Sequence, residues 1–262
     1  MDTLRSRTWL WCHNCGVYNN IEALHAQSDY TPVEALEYMG IRNAIMVVYG
    51  GKPEPPFDAI QKKFSRLDNV VWSIIGDSSS KRNQDKTDIE EIISLSRNFS
   101  NIKGGIMDDF FQVGPNLSNF GKTSARMHEV HLPLWVVLYA HQMDEAEKFD
   151  MSNVLSLCDV ITFWTWWAKD LKSLKANMER LKQLAPGKRI VQGCYLWDFG
   201  AGKEVSPEYM SLQLEQAREW LADGTIHDVI LLGSPLFGMG LQSIEQARAW
   251  LDKYGDMPCF DK

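Results

Sequence analysis

Short apolar runs rich in Val, Ile and aromatic residues recur along the chain, each bounded by turn-forming residues. Runs of this kind predict parallel strands buried on both faces, here over residues 8–15, 43–50, 69–75, 102–109, 134–140, 159–166, 189–197 and 228–233. Between most of them the apolar positions fall on one helical face, which predicts amphipathic helices over 85–99, 145–157, 170–185, 207–222 and 243–254. Ser206 stands where it can cap the helix that opens at Pro207, and Gly224 follows its last turn. Alternating strands and helices pair in parallel through right-handed crossovers. A count of eight favours closure into an α/β TIM (β/α)₈ barrel over an open doubly wound sheet, and 262 residues is the usual size for one such domain, here residues 1–262. No composition shift marks a linker or a second domain.

In a barrel of this kind, reacting groups sit at the C-terminal ends of the strands and in the loops that follow. The predicted strands carry polar and aromatic residues at those ends, while their opposite ends are plain. The fourth ends Gly104-Gly105-Ile106-Met107-Asp108-Asp109, and the seventh runs through Tyr195 and Trp197 into Asp198. The third runs into Gly76-Asp77 and three serines. Strand residues alternate between faces, so one of Asp108 and Asp109 is expected in the barrel mouth and the other against the helices or the loop. Strands four and seven lie roughly opposite each other, which sets Asp198 across the mouth from that pair. Two carboxyl groups facing across a cleft suit glycoside hydrolysis, one protonating the leaving oxygen and the other acting as nucleophile or activating water. A neighbouring charge of the same sign, or apolar walls, would keep the acid protonated. The competing readings are helix caps for Asp108 and Asp109 and a turn former for Asp198.

The chain has ten tryptophans, several of them clustered. Trp11, Trp164, Trp166 and Trp197, with Tyr195, stand near strand ends, where flat aromatic faces can stack on sugar rings. His13, Tyr139 and His141 are candidates for binding sugar hydroxyls. His141 with a strand-four aspartate could instead begin a divalent metal site, the basis of a rival reading as a metal-dependent sugar lyase or isomerase, although third and fourth ligands are lacking. A non-catalytic carbohydrate-binding barrel is the third reading.

Net charge of -7 with no Lys/Arg run argues against a nucleic-acid or anionic-membrane partner. Five cysteines form no disulfide framework, and Cys12-x-x-Cys15 lacks the second ligand pair a structural zinc needs. No apolar run is long enough to span a bilayer, and the N-terminus shows no secretory leader. The expectation is a soluble chain, cytoplasmic or secreted after loss of a signal, that uses no cofactor or metal.

The segments 104–111 (Gly-Gly-Ile-Met-Asp-Asp-Phe-Phe), 135–139, 162–166 and 193–198 resemble signature segments of an uncharacterised glycoside hydrolase-like TIM-barrel family. The resemblance implies a carbohydrate substrate. Acids ending strands four and seven are similar in placement to those of the large barrel clan of retaining glycosidases. That clan usually has glutamates there and an Asn-Glu pair on strand four, where this chain has aspartates.

Overall fold

In the computed structural model, which describes residues 2–77, 88–112 and 117–259, eight parallel strands close on themselves. They are β1 (Thr8–Cys12), β2 (Asn43–Met46), β3 (Asn69–Ile75), β4 (Ile102–Met107), β5 (Leu134–Tyr139), β6 (Val160–Trp164), β7 (Arg189–Tyr195) and, after a two-stranded hairpin of β8 (Trp197–Asp198) and β9 (Lys203–Glu204), β10 (Asp228–Leu232). Neighbours in the barrel follow chain order, and β1 closes it by pairing with both β2 and β10, Trp9 opposite Ile230 and Leu10 opposite Ala44. Every residue of β1, β2, β5, β6 and β10 is buried, as continuous apolar runs require when helices cover the outside.

The helices are α1 (Pro32–Met39), α2 (Asp58–Lys63), α3 (Ile89–Asn98), α4 (Leu117–Glu129), α5 (Met151–Ser156), α6 (Leu174–Leu184), α7 (Pro207–Asp223) and α8 (Gln242–Tyr254). Seven connect successive barrel strands and α8 follows the last, so the (β/α)₈ expectation holds and the open sheet does not. The Ser206 hydroxyl accepts from the Tyr209 amide, Pro207 opens α7 and Gly224 closes it in the left-handed region, as the sequence signals require. Among the described residues, no helix is long and apolar enough to cross a membrane.

The differences from expectation lie at the ends of elements. Residues 78–87, which include the three serines and the start of the helix expected from residue 85, lie outside the described residues. Seven of the eight barrel strands stop one to four residues short, because ladder pairing ends before the apolar pattern does. β4 ends at Met107, paired with Ile75 and Val136, just ahead of the aspartates. The helix expected over 145–157 reduces to α5, because Asp150 takes a left-handed φ of 45° immediately before it. Three helices escaped the periodicity reading. One of them, α1, carries a reciprocal capping box between Thr31 and Glu34 with Pro32 in its first turn.

Candidate active site

The C-terminal mouth of the barrel holds a cleft of about 330 Å³, near the lower end of the ~300–1,000 Å³ common for small-molecule sites. Strand alternation builds most of it. Residues that begin the strands, Trp9, Trp135, Val160, Arg189 and Asp228, line the far end of the barrel. An even number of residues further along each strand come Trp11, Val137 and Tyr139, Trp164, Tyr195 and Leu232, all of which line the cleft. The same alternation carries past the strand ends to His13, Tyr49, Asp77 and Asp108.

Three carboxyl groups meet there: Asp77, Asp108 and Asp109. Asp108 is buried, and its Oδ1 accepts from the Asp109 amide at 2.9 Å. Burial pushes its carboxyl well above the ordinary carboxylate range, the neighbouring Asp109 and Asp77 charges push further, and the amide bond only partly opposes them. Asp109 does not turn away from the mouth as strand alternation predicts. Its left-handed φ of 47° reverses the chain just after β4, so both aspartates line the cleft. Asp109 Oδ1 accepts from the Tyr139 hydroxyl at 2.9 Å and from Gln112 Nε2 at 3.1 Å. Asp77 Oδ1 accepts from the Gly50 amide at 2.9 Å.

Asp198 is elsewhere. The chain leaves the barrel after Tyr195, and Asp198 is buried in the β8–β9 hairpin, its Oδ1 accepting from the Ala201 amide at 3.1 Å. It closes a turn and does not line the cleft, which is the turn-former reading; the carboxylate expected across from strand four is absent from that position. Trp197 leaves with it, buried and away from the cleft lining.

The tryptophan expectation needs a similar correction. Trp11 and Trp164 do line the cleft, but as its deep wall: they are 2% and 1% exposed, and Trp166 alone of the four candidates is partly open to solvent. Trp164 is drawn inward because Gly193 has no side chain; a Cβ there would stand 2.1 Å from the indole. Its Nε1 donates to the Thr162 hydroxyl at 2.9 Å. The exposed part of the aromatic wall falls instead to Trp166, Phe199 and Tyr49, with Trp166 and Phe199 inclined at 32° and 6.0 Å between centroids. Tyr18 comes from the loop after β1 and Phe199 from the β8–β9 hairpin, where no strand pattern announces them. Asp77 could have been found by counting alternate residues from Asn69.

His13 is fixed rather than available. Trp11 Nε1 donates to its Nε2 at 3.1 Å, and the Val47 carbonyl, 3.2 Å from Nδ1, can only accept. These two bonds select the neutral Nδ1–H tautomer and occupy both ring nitrogens, so His13 cannot also bind a sugar hydroxyl. Burial lowers its pKa to about 4, against smaller opposing effects of the Val47 bond and Asp77. Tyr139 and Tyr195 are buried in the wall, their phenols raised well above the ordinary value first by burial and then by neighbouring charge. His141 lies outside the cleft lining as an exposed ring stacked on Tyr139, 5.6 Å between centroids and 17° between planes. Among the described residues no three His, Cys, Asp or Glu side chains are grouped to hold a metal ion, so the His141–aspartate ligand set of the rival reading is not assembled. Cys12 is buried with a raised thiol pKa and Cys15 is exposed; neither forms a disulfide.

No protein-family model and no curated protein matches the chain. Solved structures do. A GH99 endo-alpha-mannosidase from Bacteroides thetaiotaomicron superposes with a TM-score of 0.63 at 8% identity, over 96% of this chain and 98% of that one. A chitinase from Chromobacterium violaceum gives 0.56 at 11% identity, over 93% and 99%. Tryptophan synthase subunit alpha from Legionella pneumophila gives 0.53 at 12%, over 95% and 94%. Two glycoside hydrolases and a synthase subunit share this architecture at such low identity, so the likeness establishes the TIM-barrel fold and leaves function to the site.

Proposed function

We propose that this protein is a glycoside hydrolase-like enzyme that cleaves a glycosidic bond in the cleft, with Asp108 as the proton donor. The observation that carries this reading is a buried carboxyl group, held toward its protonated form by burial and two neighbouring aspartates, inside an aromatic-walled pocket at the catalytic end of a TIM barrel. A protonated carboxylic acid there can donate to the leaving oxygen. Asp109 is the partner, its acceptor oxygen aimed by Tyr139 and Gln112 and suited to attack the anomeric carbon or to take a proton from water. Asp77 is a positioning residue: tied to the Gly50 amide, its charge helps keep the proton on Asp108. Trp166, Phe199 and Tyr49 offer faces on which a sugar ring can lie, while the buried Trp11 and Trp164 close the floor to water. The glycoside hydrolases among the structural neighbours support this substrate class by analogy of fold.

The test is a panel of aryl glycosides and short oligosaccharides assayed with the wild type and with Asp108→Asn and Asp109→Asn. Turnover of one glycoside that falls at least about a hundredfold in both variants supports the pair. Binding of a sugar without turnover in the wild type would instead make the barrel a carbohydrate-binding protein.

A further inference from the structure

The buried wall of the cleft spends most of its hydrogen-bonding groups on itself. Trp11 Nε1 donates to His13, both nitrogens of His13 are taken by Trp11 and Val47, and Trp164 Nε1 donates to Thr162. The Tyr139 hydroxyl is committed to Asp109, and Tyr195 is hydrogen-bonded to Tyr139. Tyr18 differs from these. It lines the same cleft and is 3% exposed, yet among the described residues its hydroxyl has no hydrogen-bond partner. The indole nitrogens of Trp135 and Trp250 are unpartnered and closed in, whereas this oxygen keeps contact with the open space of the cleft. Polar groups left unpartnered in a buried wall are rare and cost stability.

The ring has no freedom to turn its hydroxyl elsewhere. His13, Tyr49 and Phe199 pack against it, with centroids 5.6, 5.5 and 5.6 Å away. Its backbone is held in consecutive turns: the Asn19 amide donates to the Gly16 carbonyl at 3.0 Å and the Ile21 amide to the Tyr18 carbonyl at 2.9 Å. Burial first, then the neighbouring tyrosines and the Asp108 and Asp77 carboxyls, push the phenol well above its ordinary pKa. Near neutral pH Tyr18 therefore keeps its proton and offers both a donor and an acceptor. The action of Asp108 on it also places it beside the acid of the cleft.

We propose that Tyr18 is a substrate-binding residue whose hydroxyl hydrogen-bonds a hydroxyl of the sugar ring in the cleft. A sugar hydroxyl is donor and acceptor at once and matches a neutral phenol in either direction. The bound sugar supplies the partner that the protein withholds, while Trp166, Phe199 and Tyr49 offer faces to the same ring. The proposal rests on the reading of the cleft as a glycosidase site and adds to it the group that fixes the orientation of the ring.

The probes are para-nitrophenyl glycosides of glucose, galactose, mannose, xylose and N-acetylglucosamine in both anomeric forms. They are assayed with wild type and with Tyr18→Phe, which keeps the ring and its aromatic contacts and removes only the hydroxyl. For the best substrate, kcat/KM should fall about tenfold in Tyr18→Phe, mainly through KM, with the melting temperature unchanged or raised because an unpartnered hydroxyl has gone. One singly deoxygenated analogue of that substrate should lose about tenfold with wild type and nothing further with Tyr18→Phe, since the same bond is already missing. Equal kcat/KM for the two proteins, a melting temperature that falls in Tyr18→Phe, or deoxygenation losses as large in the variant as in wild type would each overturn the role and leave the glycosidase reading standing. Where wild type turns over no glycoside, calorimetry with the methyl glycosides of the same sugars replaces the kinetics. Binding weakened about tenfold in Tyr18→Phe then upholds the Tyr18 contact and removes the glycosidase reading, and no binding to wild type removes both.

Discussion

Asp108 and His13 are two buried titratable groups whose pKa values burial moves in opposite directions, and each makes a measurable claim. Asp108 in the folded chain holds its proton to higher pH than in the unfolded chain, so the folded state binds more protons once pH passes the ordinary carboxylate value. Its contribution to stability is therefore full at low pH and is lost as pH rises toward the elevated pKa. Asp108→Asn removes that loss. The variant's melting temperature should rise relative to wild type from about pH 4 upward and level off above the shifted pKa, while its turnover falls about a hundredfold or more. Melting curves across pH, set beside turnover at one pH, check both halves; a variant that melts early and still turns over would make Asp108 structural. His13 behaves in the opposite sense. Its pKa falls from 6.5 to about 4, so its stabilising contribution is full above pH 6.5 and is lost as pH falls toward 4. That window corresponds to roughly 3 kcal/mol. Urea unfolding at pH 7 and pH 4.5 should show an acid-induced loss in wild type that is smaller in His13→Gln.

Among the elements, β4 and β7 end in different ways, and the contrast separates what the sequence discloses from what it does not. Along a strand the alternation of faces is strict, so Trp11, Tyr139, Trp164 and Tyr195 could be placed from the sequence, as the barrel itself could, whereas alternation alone set one of Asp108 and Asp109 in the mouth without saying which. At the strand end that rule lapses. Asp109 enters the cleft only through a left-handed backbone, uncommon for any residue but glycine and carrying no sequence mark here. The chain after Tyr195 pairs with Lys203–Glu204 instead of continuing along the barrel, which removes Trp197 and Asp198 from the mouth. Two different effects of substitution follow. Asp198→Ala should cost about 1 kcal/mol, the usual value of a lost side-chain cap or turn bond, and leave turnover within a few-fold of wild type. Gly193→Ala should act through Trp164, because a methyl group has no room beside the indole. Forcing that ring aside costs about 1–3 kcal/mol and deforms the floor of the cleft, lowering turnover as well as melting temperature. Paired melting and rate measurements on these two variants distinguish a turn outside the cleft from a support beneath it.

Across the whole molecule, the seam that closes the barrel is also where a buried charge links three strands. Asp228 on β10 accepts from Trp9 on β1 and from Arg189 on β7, so one carboxylate joins the first strand to the two strands that precede it around the ring. Asp228 is 2% exposed and Arg189 is 39% exposed on its side chain, so the pair is anchored in the interior at one end only. Burial raises the Asp228 pKa, and Arg189, Trp9 and Arg7 oppose the rise without cancelling it. A pair of this kind contributes little over an apolar replacement, but losing one partner leaves an uncompensated buried carboxylate. Arg189→Leu should therefore destabilise the barrel by about 3 kcal/mol at neutral pH, and lowering the pH should restore part of the loss as Asp228 takes up a proton. The double variant Arg189→Leu with Asp228→Asn should recover most of that stability, since the charge has gone along with its partner while an acceptor for Trp9 Nε1 remains. Chemical denaturation of the wild type, the single variant and the double variant at pH 7 and pH 5 measures all of this. A double variant no more stable than Arg189→Leu would show that closure depends on the ionic link itself rather than on keeping a lone charge out of the interior.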